Sequence, residues 1–422
     1  MHALEKILAK ASGKVEVTAG QIVMANVDFA EVNDIYLQAI RSFYEMGGTR
    51  VWDREKLAFV FDHYAPSPSI EGAENHKKMR EFALSQKLTH HFDVEKGVCH
   101  QVLPEAGLIY PGMFFVATDS HTTTHGAFGA FGTGIGATDM ATVMIEGQLW
   151  IKVPEVIQIC LEGTPGPLTM AKDVALLVVG KLKADGAIYQ AIEFCGSYVE
   201  QLSVASKMVL CNLAVEMGAK TAYIHPDELV LSYLTEKGVS EYTVYETDDD
   251  YQYFQKFSFN IDGLESQIAV PHSVDSVLPL SQVTSVKVDQ CLIGTCTGGR
   301  EEDFQIAAKI IGDRHVASGT RLLIIPASDQ VMMHCLADGT LQKLLKAGAT
   351  LVSPGCGPCL GAHEGLLAPG EVCVTASNRN FPGRMGSRDA ELYLASPAVV
   401  AESAIQGMLA APTLLSNKGS ML

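Results

Sequence analysis

Pro354-Gly355-Cys356-Gly357-Pro358-Cys359-Leu360-Gly361 falls within a run of alternating strand and helix patterns that fills the last third of this chain. Apolar runs at 286–293, 321–325, 349–353 and 372–375 read as buried strands, with helical stretches around 302–311, 329–346 and 359–367 between them. That alternation predicts a β/α domain built on a mostly parallel sheet. Parallel strands deliver their following loops to one edge. Three of those loops carry chemistry: Cys296 follows the first strand, Cys356 and Cys359 the third, and Ser377-Asn378-Arg379-Asn380 the fourth.

Upstream, the apolar run 57–61 ends in Asp62-His63, and the run 113–118 passes straight into Asp119-Ser120-His121. Ligands of open α/β sheets bind beyond the carboxyl ends of the strands. One such Asp or Ser is adequately explained as a helix cap. Two strand ends that both carry histidine point to a site. The glycine-rich stretch 126–136 spells Gly132-x-Gly134-x-x-Ala137, but a loop, not a strand, precedes it, so close backbone packing explains it better than a dinucleotide.

The texture changes near Pro154. A strand at 156–161, a helix at 168–182 and helical periodicity at 203–217 and 226–237 follow, with a lone Glu193 among apolar neighbours. The expected domains are 1–154, 155–280 and 281–422. Cys160, Cys195 and Cys211 sit among apolar residues and read as inert buried thiols. The acidic, aromatic stretch 246–254 reads as a solvated surface segment.

The 422 residues are 47% hydrophobic and carry a formal net charge of −17. That balance supports a large core and disfavours nucleic acid and anionic membrane as partners. An anionic substrate therefore needs a local cluster of arginine or lysine. Residues 1–11 form an amphipathic pattern without a signal-peptide core, and no apolar run approaches a membrane span. Ten cysteines without a secretory signal suggest a reducing compartment, and cytoplasm is the expected location.

Cys-x-x-Cys alone also fits a thioredoxin-like redox pair, or half of a zinc site that His363 could help complete. A third loop thiol shifts the balance toward a [4Fe–4S] cluster with three protein ligands.

The sequence resembles the aconitase family, in the form of the large subunits of isopropylmalate isomerase and homoaconitase. The resemblance rests on Phe61-Asp62-His63-Tyr64, Cys99-His100-Gln101-Val102-Leu103-Pro104-Glu105, Thr118-Asp119-Ser120-His121, Ile293-Gly294-Thr295-Cys296-Thr297, Cys356-Gly357-Pro358-Cys359 and the run from Ser377 through Gly386. It implies an α/β fold, with three domains of mostly parallel sheets and no fourth, swivelling domain. It implies a hydro-lyase acting on a hydroxy di- or tricarboxylate, with a [4Fe–4S] cluster on Cys296, Cys356 and Cys359 and one iron not ligated by protein. Asp62 and His63 would form the acid pair; His100, Asp119, His121 and Glu193 would orient substrate and one another. Ser120, Asn378, Arg379 and Arg384 would bind substrate, whereas Arg388 reads as a surface charge.

The resemblance further implies a separate small subunit that completes the active site, so that the chain alone is inactive. Isopropylmalate, homocitrate and a dimethylmalate are the substrates in view; a redox or iron-sensing thiol protein on the same fold is the alternative outside enzymes. Departures from the family pattern fall at Asn33-Asp34-Ile35-Tyr36, at Thr123, and at Gly298, where the relatives usually have asparagine after Thr.

Overall fold

A computed structural model describes residues 1–414. Its internal contacts divide the described residues into two compact units, one of Met1–Thr164 with Leu182–Asp262, the other of Pro165–Lys181 with residues 263–414.

The first unit holds a five-stranded, all-parallel sheet in the order His90–Phe92, Leu57–Val60, Phe29–Asn33, Phe114–Ala117, Phe131–Gly134. Leu57–Val60 and Phe114–Ala117 are buried at every position, as expected for parallel strands covered on both faces. Phe29–Asn33 differs: it buries Glu31 and Asn33 among the apolar residues. Beyond Phe114–Ala117 the chain enters a 3₁₀ helix, Ser120–Phe128, capped by the Asp119 carboxylate on the His121 N–H. A Cβ at Gly132 would stand 2.5 Å from the Thr122 carbonyl oxygen, which confirms close backbone packing as the reason for that glycine-rich stretch.

The second sheet of this unit is also parallel, in the order Thr221–Tyr223, Ala191–Cys195, Val156–Glu162, Gln255–Asn260. Here two expectations are corrected. Cys160 and Cys195 are not inert thiols: they are register partners on adjacent strands and form a disulfide, while Cys211 is buried and free. The stretch 246–254 is not merely solvated, because Tyr251 and Tyr253 pack their rings 5.2 and 5.9 Å from that of His2. His2 in turn caps the first helix, Ala3–Ser12, through a reciprocal bond pair with Glu5.

The second unit carries a seven-stranded sheet: Val277–Pro279, Gln267–Ala269, Glu391–Leu394, Val372–Thr375, Gln290–Gly294, Arg321–Ile325, Thr350–Leu351. The last five are parallel, and the first two form an antiparallel edge. Helices Glu301–Ile311, Asp329–Ala337, Thr340–Lys346 and Pro397–Gln406 flank it. The helical stretch expected over 329–346 breaks at Gly339, which adopts φ 83°. The one expected over 359–367 shrinks to a single 3₁₀ turn, Gly357–Leu360, because Gly361 and Gly365 take left-handed φ values of 76° and 93°. Among the described residues no helix is long and apolar enough to cross a membrane.

Candidate active site

In the first unit, three adjacent parallel strands each end in an aspartate: Asp34 after Phe29–Asn33, Asp62 after Leu57–Val60 and Asp119 after Phe114–Ala117. The shared strand direction brings them to one edge, where histidines tie them together. Asp62 Oδ1 lies 2.6 Å from His63 Nδ1, and Asp62 Oδ2 accepts from the Cys99 N–H at 2.9 Å. His63 Nε2 is 3.4 Å from Asp119 Oδ2. Asp119 Oδ1 meets His100 Nε2 at 2.8 Å and accepts the His121 N–H at 2.7 Å. Ser120 Oγ is 3.3 Å from His121 Nδ1. Asp34 accepts the backbone N–H groups of His63 and Tyr64 at 2.9 and 2.7 Å and contacts His76 Nε2 at 2.9 Å.

Burial works against charge throughout this network, and specific partners overcome it. Burial alone would lower the His63 pKa, but the Asp62 charge and hydrogen bonds to Asp119 and Asp62 hold it well above the usual imidazole value. Burial likewise opposes ionised Asp119, yet the charge of His100 and bonds from His100, His121 and His63 hold it well below the usual carboxylate value. Glu31 is the opposite case. It is fully buried, neither carboxyl oxygen has a hydrogen-bond partner among the described residues, and burial together with the charges of Asp62 and Asp119 pushes its pKa well up.

Asp62, His63, His100, Asp119, Ser120 and His121 are thus brought together. Glu193 is not. It lies on Ala191–Cys195, where Oε2 meets His2 Nε2 at 2.5 Å and Oε1 accepts from Gln158 and Tyr253, each at 3.0 Å. The glutamate against His121 is Glu216, whose Oε1 is 2.7 Å from His121 Nε2. Glu216 sits in the 3₁₀ turn Ala214–Met217 and is buried. The signal that singled out Glu193, a carboxylate amid apolar residues, holds equally for Glu216. Asp34 also had a signal, since it ends a strand as Asp62 and Asp119 do.

The second unit gathers the thiols. Cys296 stands just beyond Gln290–Gly294, and Cys356 and Cys359 lie in the loop after Thr350–Leu351. Asn378, just past Val372–Thr375, reaches both groups: its Nδ2 donates to Cys296 Sγ at 3.3 Å, and Cys359 Sγ donates to its Oδ1 at 3.6 Å. Arg384 Nη2 approaches Cys359 Sγ at 4.0 Å. A hydrogen bond to Cys359, burial and the neighbouring sulfurs push the Cys356 thiol well above its ordinary pKa, while Arg384 opposes the shift. Arg379 is half-buried on the same loop, and Arg388 is exposed, as expected. Gly298 has a local cause: a Cβ there would stand 2.4 Å from the Ala376 methyl carbon, leaving no room for the asparagine that the resemblance leads one to expect.

The sequence model of the Aconitase family (aconitate hydratase) matches residues 6–407. The chain belongs to the aconitase family. This aconitase-family chain is 49% identical over 409 residues to the 3-isopropylmalate dehydratase large subunit 1 of Methanopyrus kandleri, covering 97% of this chain and 98% of that one. It is 46% identical to the probable methanogen homoaconitase large subunit of Methanothermobacter thermautotrophicus, over 99% of both chains. Among solved structures, Thermococcus kodakaraensis aconitase X in its holo-form is similar at a TM-score of 0.51 and 13% identity, covering 90% of each chain, a likeness of fold alone. The aconitase-like α/β fold expected from the sequence is therefore found.

Proposed function

We propose that this chain is the large, cluster-binding subunit of a hydro-lyase that dehydrates and rehydrates a hydroxy di- or tricarboxylate, of the 3-isopropylmalate dehydratase type. The homoaconitase large subunit in the relatives keeps a tricarboxylate of the homocitrate kind as the second reading. The observation that carries the proposal is the meeting of Cys296 and Cys359 on Asn378, with the free thiol of Cys356 hydrogen-bonded to Cys359.

Family membership implies an iron–sulfur cluster, and the donor set fits one. Cys296 and Cys359 both reach Asn378 and the Cys356 thiol hydrogen-bonds with Cys359, so three soft sulfur donors from two loops are gathered, a set that suits iron–sulfur ligation. When bound, a [4Fe–4S] cluster on three thiolates keeps one iron without a protein ligand and supplies a Lewis acid for the substrate hydroxyl. The chain's own residues do the rest. His63, kept protonated by Asp62, gives its proton to the departing hydroxide, and takes one back on hydration. Asp119 and Glu216 hold His100 and His121 in orientation. Arg379 and Arg384 take substrate carboxylates in two-point fashion and supply the positive field that a chain of net charge −17 lacks overall. The small subunit supplies the base and completes the site. Eight free cysteines fit a reducing cytoplasm, and the Cys160–Cys195 disulfide is an exception to the rule for that compartment.

Anaerobic purification with the small-subunit partner, followed by iron and sulfide analysis, tests this. About four irons per large subunit are expected; a single zinc would sink the reading. Turnover is expected only with both subunits present, so robust activity of the isolated chain would remove the two-subunit part.

The two glutamates separate cleanly. Glu216→Gln should lower kcat about 10²-fold, because His121 loses the carboxylate that orients its ring. Glu193→Gln should leave kcat near wild type and lower the melting temperature, because it loosens the His2 contact that caps the first helix. Steady-state kinetics beside a thermal melt reads both.

A further inference from the structure

Lys172 lies in the first turn of the helix Ala171–Leu182 and is 1% exposed. Taking an ammonium out of water costs several kcal/mol unless its donors are used. Its Nζ donates to the Ser377 carbonyl at 2.7 Å and to the Ala376 carbonyl at 3.3 Å. A second donor grips the same loop, since Thr297 Oγ1 reaches the Ala376 oxygen at 2.8 Å. From these two carbonyls the backbone passes directly into Asn378, whose amide contacts Cys296 and Cys359, and then into Arg379.

The buried charge has its counterweights nearby. Asp173 and Asp303 are buried and interact electrostatically with Lys172. Both carboxylates are also engaged on backbone: Asp173 accepts from the N–H groups of Met170 and Gln267, and Asp303 from that of Arg300. Within the second unit, hydrogen bonds join the helix start to the loop, and the two aspartates join it through their electrostatic interaction with Lys172.

We propose that Lys172 is a positioning residue for the Ser377–Arg379 loop, clamping its carbonyls so that Asn378 and Arg379 meet the cluster and a substrate carboxylate in one fixed arrangement. The assignment rests on the reading of Cys296, Cys356 and Cys359 as cluster ligands. It adds to that reading a residue that acts only through the loop.

Lys172→Met keeps most of the side-chain length and removes charge and donors. In the full chain without iron, amides at 376–380 should exchange hydrogen about tenfold faster than in wild type, with the rest of the second unit unchanged. In the reconstituted two-subunit enzyme, KM should rise about tenfold with kcat changed much less, and iron loss to a chelator should quicken by a similar factor. Exchange that accelerates evenly across the unit, or exchange and KM that do not move, overturns the assignment. Should K172M fail to fold, Thr297→Val removes the other bond to the Ala376 carbonyl. Faster exchange confined to the loop then supports the clamp, and unchanged exchange overturns it. A wild-type chain that takes up one zinc would sink the cluster reading, and the iron-free exchange result would still decide the clamp.

Discussion

Replacing Cys296, Cys356 or Cys359 singly by alanine should reduce turnover to background and strip the chain of bound iron, while the fold survives. The three thiols come from two loops at the ends of parallel strands, so each loop would anchor a different side of the proposed cluster. With one gone, two thiolates cannot hold a cluster that is already one ligand short. The cost to the apo-protein is small, because each change removes a few atoms from a loop and leaves the strands intact. Iron content, visible absorption and a thermal melt on each variant check the claim. A variant that kept its iron and its activity would show that the cysteine in question is not a ligand.

The second large effect belongs to the acid pair. His63→Gln should lower kcat by about 10²–10⁴-fold, the range for losing a positioned proton donor. Asp62→Asn should act differently, through the pKa. Burial depresses the His63 pKa, and the Asp62 charge is the largest influence raising it. Removing that charge lowers the pKa, so the alkaline limb of the kcat profile should move to lower pH. The sign for stability runs the same way. His63 has a folded pKa above its unfolded value of about 6.5, so its stabilising contribution is full below that value. It is lost as pH rises through the raised folded pKa, and Asp62→Asn should shrink it. Rate profiles and denaturant melts across neutral and alkaline pH test both consequences. An alkaline limb that stayed in place in Asp62→Asn would show that another group sets it.

What the sequence disclosed was largely what strand direction dictates. Apolar runs buried on both faces are visible as strings, and parallel strands then force Asp62, Asp119, Cys296, Cys356 and Asn378 to the carboxyl edges of their sheets. The glycines near residue 360 hid the end of a helix, since a short polar-apolar pattern persists where left-handed φ values stop the backbone. Partner choice was less legible. Glu193 and Glu216 have the same local character, and only tertiary approach gives one His2 and the other His121. The Cys160–Cys195 bond depends on strand register across 35 residues, which no local pattern encodes. Glu31 was hidden for another reason: a glutamate in a strand reads as facing solvent, and only cover on both faces of the sheet encloses it.

The tight fit at Gly298 also bears on how this chain could change over time. The methyl carbon of Ala376 occupies the space that any side chain at position 298 would enter. Gly298→Asn arising first meets a rigid obstacle and should lower the melting temperature. Ala376→Gly arising first removes that methyl and leaves the backbone carbonyl oxygen of residue 376, 3.2 Å from such a Cβ, as the nearest atom. The two sites are therefore epistatic, and the order of substitution is fixed by a single carbon atom.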